Sequence, residues 1–471
     1  MTEVHPAGEG DFVFTTAGGK VALRTTGDAL TPYGGLVPWA AFTRHTGIVE
    51  ALAATCPVTR TSPNAKPVYD ILHSFLLTAL VDGRRFAHVE RLREDPTVRE
   101  LFGLKSVVGD DSIKRLFAAI DEGAGAAWVA QAAAPIWGAL PERLILDWDS
   151  TVQTKYGRQE GAARGYNPQK PGRKSFHPLL AVGAGTRLCV AYRFRSGDTV
   201  TATQWHSAME EAQRWLGGRP AWLNRGDLGL GHEGIVAWHE AQAERPRYLF
   251  KLKLTANVRR ALHALPETAW QGPAEAGVWQ VAEARVRLPG WTRERRVVCA
   301  RKLQGQTPAL AQGQFWTQVK HELAAYVTNL DEATANAWQI QTLYRERADA
   351  ENVFDELKSQ WGFNGFGARS RRVTALAARL LLLVYNLWSL FVRLLEPSRH
   401  VEAAGSRRWF LVIAARLVES GRQKTLLVSV QGRWWEQLKA GYTRVAQWLA
   451  ATASQLKIPP PLPAVIALPS S

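Results

Sequence analysis

The chain has 471 residues, 46% of them hydrophobic and 21% charged, which is enough apolar material for a large core and more than one domain and argues against wholesale disorder. Lys plus Arg number 58 against 42 Asp plus Glu, a formal charge of +16 that favours polyanionic partners, nucleic acid or an acidic membrane surface. A soluble protein that merely carries a basic surface is the other reading of that excess.

Cys56, Cys189 and Cys299 lie far apart and form neither a CxxC pair nor a Cys/His cluster, so neither a disulfide framework nor a zinc finger is indicated. The start, MTEVHPAGEG, has no basic stretch followed by an apolar run. No secretion signal is expected, and the cytoplasm is the expected compartment.

Residues 1–40 are Gly-rich, with strand-like pieces at Asp11–Thr15 and Lys20–Arg24. From Pro38 to about Ala134 apolar residues recur at three and four, as in Val68-Tyr69-Asp70-Ile71-Leu72, which predicts helices. Ser106–Leu116 reads as a turn and a helix start, with Asp110 or Asp111 as N-cap. A helix-turn-helix fits there, although most short helix pairs joined by such turns bind no DNA.

The next part alternates. Arg143–Asp149 reads as a strand, Ser175–Ala184 and Arg187–Phe194 as a hairpin, Thr203–Leu216 as a helix, Ala221–Leu223 as a short strand, Gly231–Ala243 as a helix and Tyr248–Leu254 as a strand. Three strands, helix, strand, helix, strand is the order of an RNase H-like mixed sheet, an α/β fold. Residues 257–330 break the alternation with strand-like pieces at Gly277–Val281, Glu283–Leu288 and Arg295–Ala300, a β-rich insertion. The apolar run Leu380–Val392 is shorter than the roughly 20 residues a bilayer span needs, so it is expected to be a buried helix and no membrane is expected as partner. From Ser406 the chain is strongly basic, and it ends in a Pro-rich, loose segment, Pro459–Pro469.

Alternation in the first strand puts Ile145, Asp147 and Asp149 on one face. Two aspartates on one face of a core strand are costly unless they are paired or ligating; the alternative is a strand that has ended by Asp147. Asp227 follows a short apolar strand and sits between glycines, at a carboxyl end where ligands gather in α/β sheets, or else in an ordinary Gly-Asp turn. On one helix, Tyr344, Arg347, Glu351 and Lys358 would fall within roughly 60° of one another. Leu343, Ala350, Phe354, Leu357 and Trp361 would form an apolar stripe beside them that docks the helix on the sheet. A solvated face with ion pairs accounts for the charges but not for the tyrosine in line with them.

Taken together, Asp149-Ser150-Thr151, Asp227-Leu228-Gly229 and the Tyr-x2-Arg-x3-Glu-x6-Lys pattern at 344–358 resemble the DDE transposases of bacterial insertion sequences. The branch they resemble carries a Y-R-E-K signature and a β-rich insertion before the last acid. The segments Tyr156–Gly161, Gly165–Pro168 and Phe176–Leu180 look like the same branch, and the likeness covers roughly residues 140–395. One departure is Asn224-Arg225 ahead of Gly226-Asp227, where related sequences more often place a small residue and an acid.

The resemblance implies Asp149, Asp227 and Glu351 as catalytic ligands of two Mg²⁺ (or Mn²⁺) ions, Asp149 bridging and the others flanking. Oxygen donors suit such ions, and two metals about 3.5–4 Å apart stabilise the attacking and leaving oxygens of a displacement at phosphorus. Asp147 is a reserve ligand, or more simply a group that orients the others. Tyr344, Arg347 and Lys358 would hold DNA phosphates near the scissile bond. Lys170-Pro171-Gly172-Arg173-Lys174 either adds Arg173 and Lys174 to the DNA contacts or is a solvated basic turn. Trp434-Trp435 in the basic tail reads either as a base-stacking pair or as core packing, the expected role of most of the 19 tryptophans.

The implied organisation is a mostly helical, DNA-binding region at 1–135, a catalytic core at 136–256 and 331–400 around the insertion at 257–330, and a basic, helical C-terminal region at 401–471. The implied activity is cut-and-paste transposition by a homodimer on double-stranded DNA, transposon ends and target, at the nucleoid of a bacterial cell. An inactive or domesticated DNA-binding relative, or an RNase H-like nuclease without strand transfer, is the alternative.

Overall fold

Strand Ile145–Ser150 buries its first four residues, because Leu146 and Trp148 find apolar cover on one face and Ile145 on the other. In this computed structural model, which describes residues 5–6, 12–311, 314–451 and 456, that strand lies third in one eight-stranded mixed sheet. Leu188–Arg193 and Leu179–Gly183 run antiparallel on one side of it. On the other side Leu223–Gly226 and then Arg247–Lys251 follow in parallel. Helices Trp205–Trp215 and Glu233–Ala241 make the crossovers. A hairpin antiparallel to the first strand, followed by two parallel strands with crossover helices, is the RNase H-like order read from the sequence.

The insertion continues this sheet. Gln314–Thr328 pairs antiparallel with Arg247–Lys251, Arg295–Ala311 pairs with Gln314–Thr328, and Trp279–Val286 forms the far edge. The two pieces predicted at Gly277–Val281 and Glu283–Leu288 are thus one strand, and Arg295–Ala300 is only the start of a 17-residue one. The physical reason lies at the parallel edge. Tyr248, Leu249 and Phe250 are 0% exposed, and without added strands this edge would offer unpaired backbone groups to water and to other chains.

The predicted strand Ser175–Ala184 divides at Pro178, which has no N–H to donate to a ladder. Leu179–Gly183 joins the main sheet, whereas Lys174–Phe176 pairs with Gln153–Thr154 and Ala163–Arg164 in a small three-stranded sheet of its own. Asp110 and Asp111 are also displaced from their expected role: Gly109 is the N-cap, and both acids lie in the first turn of helix Asp110–Ala119.

The apolar run at 380–392 is the middle of a 25-residue helix, Arg371–Leu395, which carries the helical half of the molecule. By length and composition it passes for a membrane span, but 94% of its most apolar window is buried inside the protein. N-terminal helix Leu36–Thr46 packs on it through Trp39 and Phe42, whose rings lie 5.4 Å from Phe391. The C-terminal region is less helical than predicted. Between helices Ala403–Phe410 and Gly432–Ala451 a hairpin, Ala415–Ser420 with Gln423–Val428, pairs with Leu30–Thr31. Gly421, in the left-handed region at φ +60°, makes its turn. The Pro-rich segment at 459–469 lies outside the described residues.

Candidate active site

The parallel register aligns Leu223 with Ile145 and Gly226 with Trp148, so one residue further Asp227 and Asp149 stand on adjacent strand ends. Neighbouring strands are about 4.8 Å apart, so the two acids leave the sheet side by side. Asp149 accepts from the backbone N–H of Ser150 at 2.7 Å through Oδ1, and Asp227 accepts from Gly229 N at 3.0 Å. Each short local bond fixes its carboxyl at the end of the strand.

Glu351 approaches from above, in the first turn of helix Ala348–Gln360. The stripe expected to dock this helix is buried as read: Leu343 0%, Ala350 1%, Phe354 4%, Leu357 0% and Trp361 0% exposed. The single helix expected over Tyr344–Lys358 is, however, two. Helix Ala337–Arg345 ends, Glu346 and Arg347 turn, and the second helix begins at Ala348. Both residues of the turn keep right-handed helical dihedrals, so Arg347 still faces Glu351 one turn on.

Arg347 lies against the two acids. It is 4% exposed, donates to Asp149 Oδ2 at 2.6 Å and to Glu351 Oε1 at 3.3 Å, and so ties the strand acid to the helix acid. Burial pushes the Asp149 carboxyl up to about 6, with Arg347 pulling it down and the nearby charge of Asp227 pushing it further up. The Glu351 side chain remains 64% exposed. Tyr344 is half-buried, with its ring 4.6 Å from that of Tyr326, and burial raises its hydroxyl above the usual phenol range. Lys358 is partly exposed about two turns further along the helix and carries no acidic partner among the described residues.

Asp147, the reserve ligand, is committed elsewhere. Both its oxygens accept from Arg225, Oδ1 from Nε at 2.6 Å and Oδ2 from Nη2 at 2.7 Å, and both side chains are fully buried. The register explains the pair, since Arg225 lies directly across from Asp147. The unusual arginine ahead of Gly226-Asp227 is thus the counter-ion of the unusual second aspartate. Arg173 and Lys174, by contrast, are exposed on the small sheet, with the Arg173 guanidinium 5.6 Å from the ring of Tyr156.

Sequence reasoning missed the loop that closes the site on its other side. Thr201 shares a hydrogen bond of 2.8 Å with Ser150, beside Asp149, and a Cβ on Gly229 would lie 2.6 Å from that of Thr201. Arg195, 2% exposed, holds this loop by donating to the carbonyls of His177, Val200, Thr201 and Thr203. Alternation puts Arg195 on the same outward face as Arg193, so no signal in the sequence marks it as buried.

Among the described residues no three Asp, Glu, His or Cys side chains stand close enough to share one ion. The donors are nevertheless of the right kind and sign for a hard dication: the Asp149 and Glu351 carboxylates meet at one buried guanidinium and Asp227 stands at the neighbouring strand end. Arg347 supplies the positive charge that Asp149 and Glu351 require in each other's company.

Comparison with known proteins supplies a family. The family described as transposase DDE domain group 1 matches residues 14–449. No curated protein matches the chain. Among solved structures it is similar to the cryo-EM structure of a piggyBac transposase synaptic complex with hairpin DNA, at 12% identity over 89% of this chain and 81% of that one, with a TM-score of 0.39.

Proposed function

Since the chain belongs to the DDE transposase family, we propose that it cleaves the ends of an insertion sequence at terminal inverted repeats and joins them to target DNA. Asp149, Asp227 and Glu351 are the catalytic acids in this reading. The observation that carries it is the placement of Asp149 and Asp227 on neighbouring strand ends, with Glu351 linked to Asp149 through Arg347.

The three carboxylates would hold two Mg²⁺ or Mn²⁺ ions, which when bound stabilise the attacking and leaving oxygens of an in-line displacement at phosphorus. The protein's own groups do the rest. Ser150 N–H and Gly229 N–H orient the two aspartates, and the Thr201 loop walls the site. The Arg347 guanidinium, which stands between Asp149 and Glu351, would also be in place to donate to a phosphate oxygen, the role its place in the motif implies. Lys358 lies on the same helix for the next phosphate. A homodimer in the bacterial cytoplasm is the working form we propose, because two ends have to be cut and joined together.

Incubating the protein with the DNA that flanks its gene tests this directly. Magnesium-dependent nicks at a repeat end and joined products are expected. Cutting without joined products would make it a nuclease, and binding without cutting would leave only a DNA-holding relative.

Metal binding itself has an expected pH dependence. Burial holds the Asp149 carboxyl near 6 in the metal-free chain, so below that pH an ion has to displace a proton. Affinity for Mg²⁺ is expected to fall roughly tenfold per pH unit below 6 and to level off above it. Calorimetric titration at about pH 5 and about pH 7.5 measures this, and equal affinity at both would remove Asp149 from the ligand set.

A further inference from the structure

The small sheet formed by Gln153–Thr154, Lys174–Phe176 and Ala163–Arg164 has no part in the carboxylate site, yet it is built against it. It begins three residues after Ser150. Gln153 donates to the carbonyl of Phe363 at 3.2 Å and the buried Lys155 to that of Asn364 at 3.0 Å, both in the loop that follows the Glu351 helix. On its other flank a Cβ at Gly165 would lie 1.8 Å from the Gly197 carbonyl oxygen, so only glycine fits, and Gly197 leads into the loop that carries Thr201. The sheet is therefore fixed between the Asp149 strand end, the end of the Glu351 helix and the wall of the site.

What it presents outward is unusual. Tyr156 is 71% and Tyr166 70% exposed, more than any other large hydrophobic side chain among the described residues. Around them Arg158, Arg164, Lys170, Arg173 and Lys174 are exposed and have no acidic partner among the described residues. Glu160, the one acid between residues 155 and 174, accepts from the backbone N–H of Arg371. Surface cations that stand beside no carboxylate attract phosphate. An exposed tyrosine ring gains nothing from phosphate, and its natural partner is a nucleobase face.

Duplex bases have both faces covered by stacking, so a tyrosine reaches one only where the strands have separated. We propose that this sheet grips unpaired DNA next to the scissile phosphate, Tyr156 and Tyr166 stacking on bases while the five cations follow the backbone. The inference rests on the reading of the chain as a DNA-cleaving enzyme and adds the form of DNA that it holds.

The test compares a blunt duplex with the same duplex carrying an oligo-dT overhang, by titration against the full-length protein. The parent is expected to prefer the overhang. Tyr156→Ala with Tyr166→Ala should weaken overhang binding by roughly 5- to 150-fold per base stacked and leave the blunt duplex unchanged, while the Tyr156→Phe/Tyr166→Phe pair, which keeps the rings, should bind as the parent does. Arg173→Ala with Lys174→Ala should weaken both probes and flatten the salt dependence by about one to two units of log–log slope. The inference is overturned if the alanine pair binds the overhang as well as the parent, or loses the two probes equally, which would mean a backbone contact only. A parent that binds neither probe would overturn the DNA-cleaving reading as well, so the two failures are distinct.

Discussion

Glu351→Gln should cut the DNA at least about 1000-fold more slowly than the parent while folding normally. The size follows from the several kcal/mol by which a metal site stabilises charge at a reacting phosphate, each ~1.4 kcal/mol being tenfold in rate. The separation of activity from stability follows from exposure. The Glu351 side chain is 64% exposed and its partner Arg347 lies 3.3 Å away, an arrangement worth about 0–1 kcal/mol to the fold. Asp149→Asn is the less informative variant, because it also takes the 2.6 Å partner from a buried guanidinium and would lose stability for that reason alone. Thermal melting and magnesium-dependent cleavage of the same preparations are the measurements. A Glu351→Gln protein that cuts within a few-fold of the parent would remove the third ligand and the two-metal scheme with it.

How much of this was legible in the sequence depends on the kind of signal each residue carries. Short-range periodicity gave the order of strands and helices, and it gave the buried stripe Leu343, Ala350, Phe354, Leu357 and Trp361, because burial of a docked face is what spaces apolar residues in the first place. Register between distant strands leaves no such trace. Nothing in Asn224-Arg225-Gly226 announces that Arg225 falls opposite Asp147, so in the sequence a partnered ion passes for a spare ligand on one side and an anomaly on the other. The helix break at Glu346–Arg347 was equally hidden, since neither residue is a helix breaker and the turn is set by tertiary contacts that draw the guanidinium down to Asp149. In the long strand Arg295–Ala311, Gly305 and Pro308 interrupt the strand pattern, so only its first residues are legible, although edge and two-stranded positions tolerate both residues.

Arg225→Met is expected to produce the largest loss of stability, about 3–5 kcal/mol in urea unfolding, because it leaves the Asp147 carboxylate buried with no partner. Asp147→Leu should cost a similar amount for the opposite reason. In the double variant the two losses should largely cancel, since a buried ion pair contributes little net stability relative to apolar side chains of similar volume. A near-neutral Arg225→Met would mean that the pair does not form. The double variant also separates fold from function. Arg225 donates through Nη1 to the carbonyl of Leu343, one of the terminal acceptors that helix Ala337–Arg345 cannot satisfy internally. Through that bond the strand carrying Asp227 holds the helix end just ahead of the turn where Arg347 sits. A methionine can fill the space but cannot make the bond, so the double variant should recover most of the parental stability, short of the about 1–3 kcal/mol of the orphaned Leu343 carbonyl, and still cleave more slowly, with the defect lying in the placement of Arg347 and Glu351 over the two aspartates.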